Sequence, residues 1–377
     1  MSTLQEINIL LKNYFMDRGF NYVELPLVHD ADIFYETSGE TIRKEMFSFS
    51  DKSGKEKCLR PDLTVPTCLS FIENQSKNDN AKLCYSGPVF RSLDSLEEQS
   101  VELNQSGVEI IFSGKSLKNK FDKDVEALKL ATETLDKLNI SNYQINIGSL
   151  MFFHTFISYL ELPDRWKQRL LRHFFRRSYF DTLLERISSG VGYDDQKRKD
   201  IMKEKFGSDD FENQNLVELL QKKESIGLGS RSIEEIAERF SKKSENIVSQ
   251  SDGEMIVKII RSFLKLNGKL EEFPEILRKF VKDTKIVFFD EAIQIMEEFV
   301  NEVSAQINSS NIYFNNDFGH SIEFYDGIMF EIFDQSGKHK LITGGRYDKL
   351  LTSLGDQHKL SAIGFATNNN QILELLS

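Results

Sequence analysis

Three cysteines among 377 residues, Cys58, Cys68 and Cys84, are too few and too widely spaced for a disulfide framework or a paired-thiol metal knuckle. Each lies among apolar neighbours, so they read as buried packing residues. The six histidines form no HxH or HxxxH pair, so no metal is expected. No apolar run approaches the roughly 20 residues that a membrane helix needs. The first residues, Met1-Ser-Thr-Leu-Gln-Glu6, lack the basic-then-apolar pattern of a secretory leader. Positive charge is also scarce: 48 Lys+Arg against 59 Asp+Glu leave a net charge of −11. That balance argues against a chain whose main task is to hold a polyanion. Phosphate loops are missing too. Gly114-Lys115-Ser116 has Glu109 where the required glycine would stand, and Gly227-Leu228-Gly229 follows no strand and reads as a turn. The expectation is a cytoplasmic globular protein without a cofactor.

What is present is ample core material, with 40% hydrophobic residues and 30 phenylalanines. At about 150 residues per domain, the length allows two or three domains, or one large domain with an insertion. Residues 4–18 carry apolar positions at helical spacing, and Gly19 ends them. Asn21–Leu27 reads as a strand, with Pro26 placing it at an edge or interface. Met46–Ser50 and Lys55–Leu59 form a hairpin signal, followed by a helix over Leu63–Glu73. Strands are expected at Lys82–Phe90 and Glu102–Phe112, joined by an acidic loop from Asp94 to Ser100. A helix follows at Phe121–Leu138, then a strand at Tyr143–Ile147. From about Leu150 to Phe280 the pattern is helical and heavily charged, and Ser232 with Glu235 makes a capping box. After a helix over Ala292–Ile307, strands return at Asn311–Phe314, Ser321–Phe333, Lys338–Ile342 and Ser361–Ala366, before a last helix from about Asn368. Strand-rich ends around a helical middle predict an α+β core, residues 1–150 and 281–377, interrupted by a helical insertion over 151–280.

Four segments go beyond patterning. They are Leu59-Arg-Pro-Asp-Leu-Thr64, Tyr85-Ser-Gly-Pro-Val-Phe-Arg91, Asn104-Gln-Ser-Gly-Val-Glu109, and Gly344-Gly-Arg-Tyr-Asp348 with Ala362-Ile-Gly-Phe365. Their order and spacing resemble the catalytic core of class II aminoacyl-tRNA synthetases, specifically the histidyl enzymes. The resemblance implies an antiparallel sheet flanked by helices, dimeric through the first helix and the Pro26 strand. It also implies a histidine-binding set of Asp62, Thr64, Arg91, Gln105, Glu109, Tyr325 and Gly345. Carboxylates and an amide suit an α-ammonium and an imidazole N–H, which are donors. The planar Arg91 guanidinium suits a carboxylate or phosphate.

The departures from that family pattern carry as much information. Its Arg-Gly-Leu-Asp-Tyr-Tyr segment is His320-Ser-Ile-Glu-Phe-Tyr325 here, so His320 replaces a catalytic arginine and Phe324 replaces a tyrosine. Its last helix opens Gly-x-Glu-Arg, where this chain has Asn368-Asn-Asn-Gln371, and Leu93 replaces an acidic residue. Removing one group that stabilises developing charge costs about 10²–10³ in rate. Two of the family's three arginines are absent, so adenylation is expected to be lost and no catalytic residue is assigned. The chain also ends about a dozen residues after Phe365, where a synthetase continues into an anticodon-binding domain, so no tRNA partner is expected.

With those features the chain resembles the regulatory subunits of ATP phosphoribosyltransferase, and Ile147–Leu150 with Leu162–Leu171 looks like that family's entry into its helical region. The resemblance implies a partnership with a short-form ATP phosphoribosyltransferase catalytic subunit, a self-dimer, and histidine as feedback ligand. Two competing readings are a divergent amino-acid-activating ligase, which Arg91 favours, and a sensor of uncharged tRNA, which needs more basic surface.

Overall fold

The computed structural model describes residues 3–74, 80–92, 101–114, 116–190, 248–286, 290–307, 311–318 and 324–377. The Asp94–Ser100 loop, the Ser232/Glu235 box, Leu93 and His320 therefore lie outside the described residues. The chain divides into two compact units, Met1–Thr155 with Lys265–Ser377, and Phe156–Leu264.

In the first unit, α1 (Leu4–Asp17) is capped by Thr3, whose Oγ1 accepts the Glu6 N–H at 3.2 Å. Gly19, at φ +83°, turns the chain away in a conformation that a Cβ would disfavour. The strand expected over 21–27 is only β1 (Asn21–Tyr22). Pairing continues one bond further, from Val23 N to Cys84 O at 2.9 Å, and the chain then turns through Pro26, which has no N–H to give. Next come β2 (Val28–Asp30), α2 (Ala31–Thr37), α3 (Glu40–Glu45), and the hairpin β3 (Ser48–Ser50) and β4 (Glu56–Leu59), with β2, β4 and β3 forming a small antiparallel sheet. Helix α4 (Thr64–Glu73) leads to β5 (Ala81–Phe90) and β6 (Glu102–Phe112), then α5 (Leu117–Lys137), β7 (Tyr143–Ser149) and α6 (Leu150–Tyr159). Helix α5 starts four residues earlier than its apolar period indicates, because Ser116 caps it by accepting the Asn119 N–H at 3.1 Å.

The second unit holds α7 (Asp164–Arg172), α8 (Arg177–Ser188) and α9 (Gln250–Leu264). Its core includes Phe156 and Phe263, stacked with ring centroids 3.8 Å apart.

Back in the first unit, β8 (Asn267–Lys269) is a strand inside the stretch read as helical. Then come α10 (Phe273–Thr284), α11 (Asp290–Gln306), β9 (Ile312–Asn315), β10 (Ile328–Asp334), β11 (Lys340–Tyr347), α12 (Leu350–Ser353), β12 (Ser361–Asn368) and α13 (Asn369–Leu376). Strand β10 begins seven residues later than expected. The Asp326 and Gly327 N–H groups both reach Arg346 O, at 3.0 and 3.2 Å, in a turn that precedes it. Among the described residues, nine strands form one sheet in the order β1-β5-β6-β12-β11-β10-β7-β9-β8. Only its β1–β5 and β7–β9 pairs are parallel. Helix α1 covers β5 and β6, and α5 covers β11 and β12. All three cysteines are buried free thiols, as their apolar neighbours predict. Burial pushes Cys58 and Cys84 up to about 11, well away from a reactive thiolate.

Candidate functional site

The short link between β4 and α4 sets the first functional side chain. Arg60, buried, spends its guanidinium on backbone: Nε on Pro88 O at 2.7 Å, and Nη1 on Leu25 O at 2.6 Å and Pro26 O at 3.3 Å. That fixes the path of Pro61 and Asp62 against the end of β5. Asp62 Oδ1 accepts the Val65 N–H at 2.9 Å, in the manner of a cap at the start of α4. Its Oδ2 is buried with no partner among the described residues, and the whole residue is 6% exposed. Burial raises the Asp62 pKa, while the Val65 N–H, the Arg91 charge and the Thr64 N–H oppose the rise. Arg91 follows β5 and is held by Nε on Pro61 O at 2.7 Å.

Strand alternation places Gln105 and Glu109 on one face of β6. Gln105 reaches a cavity of about 270 Å³ that Asp62, Thr64, Arg91, Phe324 and Tyr325 also line. Glu109 lies beneath that wall. Its Oε1 accepts Tyr85 Oη–H at 3.1 Å and its Oε2 accepts Tyr347 Oη–H, and the Thr64 hydroxyl also bonds to it. Burial pushes this carboxyl up to about 7 against the pull of those three hydroxyls. The carboxylate exists there because Gly364 faces it: a Cβ on Gly364 would fall 1.8 Å from Glu109 Oε2. The double glycine of β11 works similarly. A Cβ on Gly344 would meet the Phe330 ring at 2.4 Å, and one on Gly345 the Tyr325 ring at 2.8 Å. Gly345 thus seats Tyr325, and the ring of Tyr325 forms the wall. The structure brings Asp62, Thr64, Arg91, Gln105 and Tyr325 to one cavity, with Glu109 and Gly345 directly behind it.

The remaining wall comes from residues not picked out from the sequence. Glu331 on β10 and Lys340 on β11 line it as an ion pair, Nζ to Oε1 2.7 Å, together with Thr343, Thr367 and Asn368. One sequence signal is Glu331 itself, a charge between Phe330 and Ile332 in an apolar strand. Where the resemblance expects an arginine at the start of the last helix, Gln371 Oε1 instead accepts the Lys340 N–H at 2.7 Å. Asn368 caps α13 by accepting the Gln371 N–H at 3.2 Å. Asn369 is fully buried and donates to Asn8 Oδ1 at 2.6 Å and Ser106 Oγ at 2.9 Å, tying α13 to α1 and β6.

A mostly antiparallel sheet with an acid at a helix start, an arginine after the neighbouring strand and a small-molecule cavity between them defines a class II aminoacyl-tRNA synthetase-like core. The family model described as histidyl-tRNA synthetase matches residues 2–252 and 200–372. The chain belongs to that family. It is 28% identical over 355 residues to a Chelativorans protein named ATP phosphoribosyltransferase regulatory subunit, covering 93% of this chain and 92% of that protein. It is 29% identical over 357 residues to a protein of the same name from Allorhizobium ampelinum, covering 93% and 92%. A solved structure from Bacillus halodurans, described as an ATP phosphoribosyltransferase regulatory subunit/histidyl-tRNA synthetase, shares the fold. Its TM-score is 0.64 at 18% identity, covering 99% of this chain and 79% of that one.

Proposed function

We propose that this chain is a non-catalytic regulatory subunit of an ATP phosphoribosyltransferase. It activates a short-form catalytic subunit and carries histidine feedback to it. The observation that carries the ligand half of this reading is Asp62 Oδ2, a buried carboxylate oxygen without a partner among the described residues, on a residue that lines a cavity sized for a small molecule. An α-ammonium is the donor that such an oxygen lacks. The names of the full-length relatives support the partner half. Adenylation has little support, since Gln371 carries no charge and its carbonyl is spent on the Lys340 backbone. Exposed Ile9 and Met16 on α1, with Leu27 and Val28 after β1, support self-association through that region, as the family implies.

Mixing the chain with a short catalytic subunit should switch on transfer of the phosphoribosyl group to ATP, and histidine should suppress it. A partner whose rate is the same with and without this chain would end the proposal. Within the cavity, Asp62→Asn keeps an oxygen for the Val65 N–H and turns the free oxygen into a donor. A charge-assisted hydrogen bond contributes about 1.5–3 kcal/mol, so calorimetric titration should show histidine binding weakened roughly 10- to 100-fold. Unchanged affinity would remove Asp62 from the ligand set.

A further inference from the structure

The cavity carries charge at two separated ends. Asp62 and Arg91 approach it from the side of β5 and β6, whereas Glu331 and Lys340 stand on β10 and β11. From β6 through β12 and β11 to β10 is three strand spacings, about 14 Å between backbones. The cavity of about 270 Å³ that these residues line has room for a small zwitterion. At the Asp62 end, the Arg91 charge faces the buried carboxylate and its Nε is fixed on Pro61 O. The far end is different. Lys340 is tied at its backbone N–H to Gln371, and its ammonium holds Glu331 and lies 5.7 Å from the Phe333 ring centroid, yet its side chain is 44% exposed, against 16% for Glu331. Its ammonium has three donors, and the bond to Glu331 uses one. Beside it, Asn368 has its Oδ1 committed to the Gln371 N–H, so its amide nitrogen is the half left to face the cavity. Among the described charged residues that line the cavity, Glu45, Asp62 and Glu331 outnumber Arg91 and Lys340. A ligand carboxylate entering so acidic a site needs a dedicated cation.

We propose that Lys340, with the Asn368 amide beside it, is the residue that reads the ligand's carboxylate, and so selects a free α-amino acid over the corresponding amine. This rests on the amino-acid reading of the cavity given above. Lys340 keeps its bond to Glu331 and donates a second N–H to the incoming carboxylate. Glu331 thereby sets the cost of the exchange, because its own charge repels the ligand's.

The test is calorimetric titration of the full chain with L-histidine and with histamine, which has the same ring and ammonium but no carboxylate. The wild-type chain should bind histidine at least about tenfold more tightly. Lys340→Met should close that gap by weakening histidine alone, and Lys340→Arg should largely preserve it. Glu331→Gln, which removes the competing charge, should widen it. Thermal unfolding of each variant checks that the fold is intact. A histidine-to-histamine gap that survives Lys340→Met overturns this assignment while the amino-acid reading stands, and collapse of the gap in Arg91→Met instead moves the role to Arg91. If the wild-type chain binds neither compound, the amino-acid reading itself fails and takes this inference with it.

Discussion

Replacing Arg346 with methionine should cost the fold about 3–5 kcal/mol, the usual loss when one partner of a buried ion pair is removed. Arg346 sits on β11 and is 2% exposed. Its Nε lies 3.0 Å from Asp124 Oδ1 on α5, and its Nη1 lies 2.6 Å from Asp348 Oδ2, which Lys120 Nζ also reaches at 2.6 Å. Burial disfavours the guanidinium's charge, but Asp124, Asp348 and Asp326 outweigh that and hold its pKa above the usual value. Asp124 has no exposed side-chain surface, and burial pushes it up to about 7 even with Arg346 alongside. Without the arginine, that acid must either ionise unpaired or hold a proton at neutral pH, and α5 loses its buried ion pair to β11. Urea unfolding should show the loss as a lower midpoint with a similar slope. The double variant Arg346→Met with Asp124→Leu should recover much of it, because an apolar pair of similar volume leaves no buried charge behind. A single variant within about 1 kcal/mol of wild type would mean that the network contributes little.

This ion cluster also marks how far the sequence can be read. Alternation along Glu102–Phe112 is enough to put Gln105 and Glu109 on one face, because a strand's period is two whatever packs on it. The motif order brings Asp62, Arg91 and Gln105 together, since Asp62 precedes a helix start, Arg91 follows a strand end and Gln105 lies within a strand, all elements that the local pattern already signals. Lys340 and Glu331 are invisible by the same means. Their meeting depends on the register of β10 against β11, where Glu331 pairs with Thr343 and an irregularity after Ile332 brings Phe333 opposite Lys340. Nothing in either strand alone encodes that offset. Strand β8 escapes notice because three residues, Asn267–Lys269, are too short for a period and owe their pairing to β9. Asp124 leaves a weak trace, an acid among Phe121, Val125 and Leu128 on the inward side of α5. Its partner, however, lies 222 residues away. The glycines of β11 are legible as sites of close approach. That the approaching groups are the rings of Phe330 and Tyr325 follows only from the packed sheet.

Glu109→Gln should flatten the pH dependence of stability. In the wild-type fold this carboxyl is buried and titrates at about 7, against 4.5 for the free side chain. Between those values the folded chain keeps a proton that the unfolded chain has released. The stabilisation is therefore fully present below about pH 4.5 and is lost as the pH rises to about 7. At roughly 1.4 kcal/mol for each pH unit, the fall amounts to about 3 kcal/mol. Glutamine is nearly isosteric: its carbonyl oxygen can accept from one tyrosine hydroxyl while its amide donates to the oxygen of the other, and it has no proton to lose. Other acids contribute slopes of their own, with Asp124 raised and Asp30 and Asp334 lowered to about 2, so the informative quantity is the difference between the two chains. Urea midpoints measured from pH 4.5 to 8 should diverge steadily in the variant's favour and then run parallel above about pH 7.5. Parallel curves throughout would show that Tyr85, Tyr347 and Thr64 hold Glu109 ionised across the range. In that case the anion under the cavity floor would itself attract a cationic ligand group. The divergent result instead makes Glu109 a neutral, hydrogen-bonded support at mildly acid pH, leaving Asp62 to meet the ligand's positive charge.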